Sequence, residues 1–289
     1  MLSLLYVHQE LQNLIKVILF FLATFHSSAL FAKQITWIVL DFAPYYILSD
    51  ELEGQGRDEL LIRLIQPYMP DYAFNYKLFP ASRAIYELSN VNNQYCMISL
   101  YKTTERQKHI AFSDEYSTIG LSTSIALRKD IAQSLGLNNS AVDLEKLVTT
   151  HGLNVGIAAN RSFGEQLDSL LASLPNDQVT VRPGRDALAS LTVMLLKKRV
   201  DIILGYPSEH HYHKLNVDKH DELTQVRINA YSQITSGFAG CNNNTVGKTQ
   251  IAAISEALKK VHQDEQFRLA MSRWLPEQLR PQLASIFLK

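Results

Sequence analysis

An arginine and a threonine, three residues apart, follow a short apolar strand in an arrangement that suits anion binding. The run Met97 to Leu100 predicts a buried strand, and a polar turn then leads to Thr103 and Arg106 at the start of a short helix. A guanidinium offers two parallel hydrogen bonds to a carboxylate, and the free N–H groups of a helix start favour negative charge. A surface cap or ion pair would use the same residues, so the motif by itself leaves both interpretations open.

The wider segment from Cys96 to Tyr116 resembles a stretch of a known family. It is similar to the T-x-x-R…F-S-x-x-Y segment of the periplasmic solute-binding proteins that deliver amino acids to ABC importers (bacterial extracellular solute-binding proteins of family 3). The matching positions are Thr103, Arg106, Phe112, Ser113 and Tyr116. In that family the threonine and the arginine hold the α-carboxylate of the ligand, so the resemblance implies this role for Thr103 and Arg106. Ser99, in the preceding strand, is a further candidate for ligand contact.

The order of the predicted elements extends this resemblance over the chain after residue 32. Strands are predicted at 35–40, 74–79, 97–100, 153–158, 200–204, 223–229 and 234–240, and helices at 58–68, 82–88, 163–174, 186–198 and from 249 onward. The phrases LKKRVDIILGY and VHQDEQFRLAMSRWLP also resemble family phrases. The resemblance implies an α/β, two-lobed periplasmic binding protein fold of type II, with mixed sheets flanked by helices and a two-strand hinge. Lobe 1 would comprise 33–120 and 233–289, and lobe 2 would be the inserted segment 121–232.

The first 32 residues have the layout of a secretory signal peptide. An apolar core at 17–25 follows Lys16, and small residues including Ala29 and Ala32 come after it. The core is too short to span a bilayer comfortably, so cleavage after Ala32 or Ala29 is expected, although an anchoring helix is the alternative. Export without a cysteine near the cut predicts a freely diffusing periplasmic protein.

The charge balance and the known short motifs exclude several functions. The chain carries 28 basic and 28 acidic residues, which gives no indication of a nucleic-acid partner. The histidines His210, His211 and His213 are interpreted as a solvated turn, because a helical turn cannot place all three on one metal-binding face. The sequence Gly247-Lys248-Thr249 lacks the first glycine of a phosphate-binding loop. No metal and no cofactor are predicted.

Further cleft residues are expected on loops that follow the predicted strands. In lobe 1, Asp41, Tyr45 and Tyr46 follow the first strand where the family carries D-x-x-x-x-P-[FY], and aromatic side chains there stack on the ligand. One of the two tyrosines is expected to pack beneath the sheet instead. Arg83 lies beyond the second strand, where it would either contact the anion or pair with Glu87 on its own helix.

In lobe 2 the candidates depart from the family pattern. Ser162 matches a hydroxyl position of the family, and the neighbouring Arg161 would reach into the cleft. Amino-acid binders usually carry an aspartate just past the strand at 200–204 to pair with the α-ammonium group. Here the residue at that position is Tyr206. Glu209 would supply the carboxylate in place of the aspartate, but only from the next turn of the chain. This departure puts an α-amino-acid ligand in doubt.

The only two cysteines of the chain, Cys96 and Cys241, are predicted to form a disulfide. In the binding-protein topology the strand that ends at Cys241 lies beside the strand that begins at Cys96. Export would place both in an oxidising compartment. Two buried free thiols are the alternative.

Three functions fit this reading. The first is a monomeric periplasmic protein that captures a small polar solute, amino-acid-like or a carboxylate, by lobe closure and delivers it to an ABC permease in the inner membrane. The second is an enzyme on the same fold, similar to the periplasmic cyclohexadienyl dehydratases, with Glu209 or Asp41 as acid or base. The third is a ligand sensor that docks on a membrane receptor.

Overall fold

The computed structural model describes residues 32–49, 51–137, 141–184, 186–229 and 232–287, with only the backbone of Ser82. The predicted signal peptide, apart from its last residue Ala32, therefore lies outside the described residues. Within the described part of the chain, no helix combines the length and the apolar character that crossing a bilayer requires.

The described chain forms two five-stranded mixed sheets flanked by helices. Before the second sheet come β1 (Lys33–Val39), α1 (Arg57–Ile65), β2 (Tyr72–Leu78), α2 (Ala81–Ser89), β3 (Tyr95–Leu100), α3 (Thr104–Gln107) and β4 (Ile110–Leu121). The second sheet and its helices comprise β5 (Ser124–Arg128), α4 (Lys129–Ser134), α5 (Leu144–Thr149), β6 (Val155–Ala158), α6 (Glu165–Ser173), β7 (Val179–Arg182), α7 (Ala187–Leu196), β8 (Ile202–Gly205), α8 (Pro207–Val217) and β9 (Leu223–Arg227). The chain then returns through β10 (Ile234–Asn242), α9 (Thr245–Val261), α10 (Glu265–Ser272) and α11 (Arg280–Ala284).

The strand order shows how the two lobes are connected. The first sheet has the order β2-β1-β3-β10-β4 and the second the order β7-β6-β8-β5-β9. The chain therefore leaves the first sheet between β4 and β5 and returns between β9 and β10, which are the two hinge crossings. β4 and β10 pair antiparallel up to the crossing, where Leu121 lies opposite Ile234. This arrangement confirms the predicted fold class, while the residue boundaries of the lobes stay a prediction.

Burial on both faces explains the continuous apolar runs that the sequence shows. In β8, Ile202 and Leu204 join one hydrophobic cluster of lobe 2, while Ile203 joins the cluster on the opposite face. Successive side chains of a strand point to opposite faces, so a strand covered on both sides must be apolar at every position. The neighbouring β5 alternates in the same way.

Cys96 and Cys241 join the two central strands of lobe 1. β3 and β10 are antiparallel neighbours, and the two cysteines lie directly opposite each other with their Cα atoms 4.1 Å apart. They form a disulfide, as the sequence analysis predicts. The two cysteines are 145 residues apart in the sequence, and the segment between them includes the whole of the second sheet.

Candidate ligand-binding site

A cavity of about 160 Å³ lies between the two lobes. It is reached by the loops after β1 and β3 in lobe 1 and after β6 and β8 in lobe 2. Because β1 is parallel to β3 and β6 is parallel to β8, the carboxyl ends of these strands meet at one edge of each sheet, where α/β proteins form their ligand crevices. Seven predicted site residues line it: Tyr45, Tyr46, Ser99, Arg106, Arg161, Ser162 and Tyr206.

Arg106 is positioned in the cavity wall by the short helix α3. Thr103 caps this helix, since its hydroxyl accepts a hydrogen bond from the Arg106 backbone N–H at 3.3 Å. The Arg106 Nη1 donates to the Tyr101 carbonyl oxygen at 3.3 Å, and no carboxylate within the described ranges forms an ion pair with it. Burial lowers the pKa of Arg106, and the charge of Asp168 opposes that shift only in part. The guanidinium is thus a half-buried cation without an ion-pair partner among the described residues.

Arg161 and Glu209, which are 48 positions apart in the sequence, form a buried ion pair. Arg161 Nη1 donates to Glu209 Oε2 at 2.9 Å, and its Nη2 donates to Oε1. Burial alone would raise the pKa of the Glu209 carboxyl, but the charge and hydrogen bonds of Arg161 outweigh burial and lower it. Glu209 Oε2 also accepts the Tyr206 backbone N–H at 3.0 Å. Both side chains are therefore charged and are held to each other by two hydrogen bonds.

Three aromatic rings surround the Arg161 guanidinium. Its central carbon lies 5.2 Å from the ring centre of Phe42, 4.9 Å from that of Phe163 and 5.0 Å from that of Tyr206. These distances are within the range of a cation–π interaction. Phe42 belongs to lobe 1 and the other two rings to lobe 2, so Arg161 also bridges the lobes.

Arg57 is a cleft residue that the sequence analysis did not single out. Its Nε donates to Asp58 Oδ1 at 2.8 Å, its Nη2 donates to Ser99 Oγ at 3.0 Å, and its guanidinium carbon lies 4.1 Å from the ring centre of Tyr45. A signal was present, because Arg57 is the first residue of α1 and a helix N-terminus disfavours a cation. Such a placement indicates a partner elsewhere in the fold.

Ser99 holds a backbone conformation that is rare for a residue with a side chain. Its φ is 64°, in the left-handed region, although it lies within β3. The Ser99 N–H donates to Ser117 Oγ at 3.0 Å, and a Cβ added at Gly237 would lie only 2.8 Å from the Ser99 Cα. The glycine thus permits the close approach of β10 that places Ser99 beneath Arg57. Strained backbone of this kind is concentrated at functional sites.

Direct contacts hold the two lobes together around the cavity. The Tyr206 hydroxyl donates to the Tyr101 hydroxyl at 2.7 Å, and the Thr104 N–H donates to Glu165 Oε1 at 2.8 Å. His213 Nε2–H donates to the carbonyl oxygen of Ala43 at 3.1 Å. Each contact joins one residue of lobe 1 to one of lobe 2, so the structure represents the lobes closed on each other.

The four remaining predicted site residues, Asp41, Arg83, Thr103 and Glu209, do not line the cavity. Thr103 caps α3, Glu209 pairs with Arg161, and Asp41 is half-buried and influences the charge of Asp186 in lobe 2. Arg83 adopts the second of its two expected roles, since its Nε donates to Glu87 at 2.7 Å with 64% of its side chain exposed. Ser162 lines the cavity, but its hydroxyl donates to Asp168 at 2.5 Å.

The interpretation of the histidines as a solvated turn is wrong. They lie in α8, where His210 and His213 are buried with 7% and 4% of their surface exposed. Each Nε2–H donates to a backbone carbonyl from another segment, that of Ser124 for His210 and that of Ala43 for His213. These tertiary partners satisfy the imidazoles, so a polar segment becomes a packed helix. Among the described residues, no cluster of three or more histidine, cysteine or acidic side chains is arranged to hold a metal ion.

Comparison with known proteins identifies the class. Residues 35–277 match the model of the bacterial extracellular solute-binding proteins, family 3, and the chain belongs to this family. A comparison with curated protein sequences gave no significant match.

Solved structures share the fold at low sequence identity. A histidine kinase sensor domain with similarity to periplasmic binding proteins has a TM-score of 0.65 at 17% identity, covering 84% of this chain and 96% of that one. A substrate-binding protein of an ABC uptake transporter from Streptococcus pneumoniae, with bound histidine, has a TM-score of 0.64 at 17% identity, covering 86% and 94%. A protein of glutathione import from Streptococcus mutans has a TM-score of 0.64 at 13% identity, covering 86% and 99%.

Proposed function

We propose that this protein captures a small carboxylate-bearing solute between its lobes in the periplasm and delivers it to an ABC importer. The observation that carries the proposal is the half-buried Arg106 guanidinium, which lines the cavity without an ion-pair partner among the described residues. A buried charge is costly unless it is paired, so a ligand carboxylate would supply the missing partner. The family membership supports the binding of an extracellular solute.

Lobe closure would couple ligand binding to recognition by the permease. The ligand would contact Arg106 and Ser99 in lobe 1 together with Ser162 and Tyr206 in lobe 2, all of which line the cavity. A ligand that makes favourable contacts with both lobes stabilises the closed arrangement. A membrane partner that binds only the closed arrangement would then bind only the liganded protein. The protein would act as a monomer after residues 1–32 are removed.

The sensor role is the second candidate, because the fold is also that of the histidine kinase sensor domain. An enzyme has less support, since Glu209 is held ionised by Arg161 and its lowered pKa does not suit a general acid. Turnover of prephenate-like acids by the purified protein would contradict a purely binding role.

Native mass spectrometry of protein purified from the periplasm without refolding tests the proposal. We expect a bound organic acid, and an intact polypeptide that begins at Leu30 or Lys33. A strain that lacks the gene should then lose uptake of that acid. Recovery of Met1 in the membrane fraction would contradict the export step. A bound acid whose uptake does not depend on the gene would favour the sensor.

A further inference from the structure

Among the charged side chains that line the cavity, one cation has no ion-pair partner, whereas the carboxylate of Asp58 is paired. Arg57 is paired with Asp58, and Arg161 is paired with Glu209. Arg106 alone has no ion-pair partner within the described residues. A ligand that complements this wall needs one anionic group.

A zwitterionic ligand would also need a partner for its ammonium group, and the nearby carboxylates are already used. Both oxygens of Glu209 accept hydrogen bonds from Arg161. The two oxygens of Asp168 accept the Ser162 hydroxyl and the Phe163 backbone N–H at 2.5 and 2.7 Å. Asp41 and Asp186 are not part of the cavity wall. A buried ammonium group without a partner is strongly disfavoured.

Four aromatic rings at the site are poor partners for a ligand ammonium group, because a protein cation already lies over each of them. The Arg161 guanidinium lies over the rings of Phe42, Phe163 and Tyr206. Arg57 lies over the ring of Tyr45. A ligand ammonium group would therefore meet a guanidinium group of like charge at each of these four rings, which disfavours recognition of an amine through them.

The cavity is small and partly apolar. Its volume is about 160 Å³, and an apolar cavity of about 150 Å³ holds a benzene-sized molecule. The wall includes aliphatic side chains of lobe 1 and of the last residue of β4: Leu40, Ile85, Met97, Ile119 and Leu121. These surfaces would contact a compact hydrocarbon body.

We propose that the cleft selects small organic monocarboxylates that carry no ammonium group, with an apolar body about the size of a benzene ring. The proposal rests on the proposed function, since it specifies which solute the same cleft binds. Arg106 binds the carboxylate, while the Arg161–Glu209 pair makes the site unsuitable for α-amino acids.

Calorimetry with matched acids that differ only in the amino group tests this proposal. The probes are 3-phenylpropanoate against L-phenylalanine, and 4-methylpentanoate against L-leucine. We expect the acid without the amino group to bind at least tenfold more tightly in at least one pair. The Arg106→Gln variant should abolish this binding. Arg199→Gln, which changes an exposed arginine three residues after the end of lobe 2 helix α7, is the matched control and should bind like the wild type.

A second variant tests the reason for the preference. In Arg161→Gln the Glu209 carboxylate and the three rings become available, so the preference should move toward the amino acid by at least tenfold. Circular dichroism tests whether the Arg161→Gln variant folds. If the variant does not fold, the binding of the matched acids and amino acids to the wild type decides the proposal. Equal or tighter binding of the amino acids to the wild type would overturn this inference and leave the proposed function intact. Binding of neither class would also overturn it, whereas the absence of any bound acid in native mass spectrometry would overturn the proposed function itself.

Discussion

The hydroxyl groups of Tyr206 and Tyr101, which belong to opposite lobes, share a hydrogen bond of 2.7 Å across the cleft. The Tyr101 hydroxyl also lies 2.5 Å from Thr235 Oγ1, next to the hinge crossing into β10. Burial raises the pKa of Tyr206, and its proximity to Tyr101 adds to that shift, so the phenol stays protonated. The closed arrangement therefore depends on a chain of hydrogen-bonded hydroxyl groups beside the cavity.

Replacement of Tyr206 by phenylalanine should weaken ligand binding about two- to tenfold. The variant keeps the ring but removes the hydrogen bond between the lobes, and one neutral hydrogen bond contributes about 0.5–1.5 kcal/mol. Calorimetry with the ligand found by native mass spectrometry provides the measurement. Tyr86→Phe, which changes a tyrosine with 70% of its surface exposed, is the control. Identical affinities in the two variants would show that this bond does not contribute to closure.

Arg106→Ala should cost about 2–5 kcal/mol of binding free energy, the range for truncating one partner of a buried charge pair. The loss arises because the ligand carboxylate would then be buried without its cation. The stability of the unliganded protein should change little or increase, since the guanidinium has no ion-pair partner in the described structure and burial already lowers its pKa. Thermal melting with and without ligand separates the two effects. Unchanged affinity would remove Arg106 from the site.

Reduction of the Cys96–Cys241 disulfide should lower the free energy of unfolding by at most about 5 kcal/mol. The chain-entropy model gives this upper estimate for a loop of about this length, which the bond closes in the unfolded chain. Urea unfolding with and without a reductant measures the difference, and a Cys96→Ala/Cys241→Ala double variant should be insensitive to the reductant. Thiol titration of the unfolded, unreduced protein should find no free thiol, whereas two free thiols per chain would contradict the bond.

The free energy of unfolding should fall as the pH is lowered from about 6.5 to about 4, and His210 should contribute to this fall. Burial lowers the pKa of His210 to about 4, against an ordinary value near 6.5 in the unfolded chain. Between these values the unfolded state binds a proton that the folded state does not. The contribution is therefore complete above pH 6.5 and is lost toward pH 4, at up to about 1.4 kcal/mol per pH unit.

Urea unfolding at several pH values measures this slope. His210→Gln keeps a donor for the Ser124 carbonyl oxygen but does not titrate, so its slope should be shallower. His220→Gln, at an exposed histidine outside α8, is the control and should keep the wild-type slope. The buried His213 contributes in the same direction, because burial also lowers its pKa. Equal slopes in wild type and His210→Gln would contradict the assignment.

Local patterns in the sequence were sufficient for most of the secondary structure. The apolar runs at 35–40 and 200–204 correspond to β1 and β8, because a strand buried on both faces needs an apolar residue at every position. The interpretation of His210, His211 and His213 as a solvated turn is wrong, because the polar residues of their helix show no apolar stripe in the sequence. The burial of this helix depends on backbone carbonyls of Ser124 and Ala43, which local periodicity does not encode.

The sequence by itself determined that Arg106 follows a strand at a helix start and, through the family topology, that Cys96 and Cys241 meet. Only the tertiary structure decided which charges are cancelled. Arg161 pairs with a glutamate 48 positions away, and Arg57 bonds to Ser99, 42 positions away. An arginine reaches whichever acceptor the fold brings within hydrogen-bond distance, and no local pattern specifies that partner. The charge left for a ligand is therefore a property of the closed lobes rather than of any one segment.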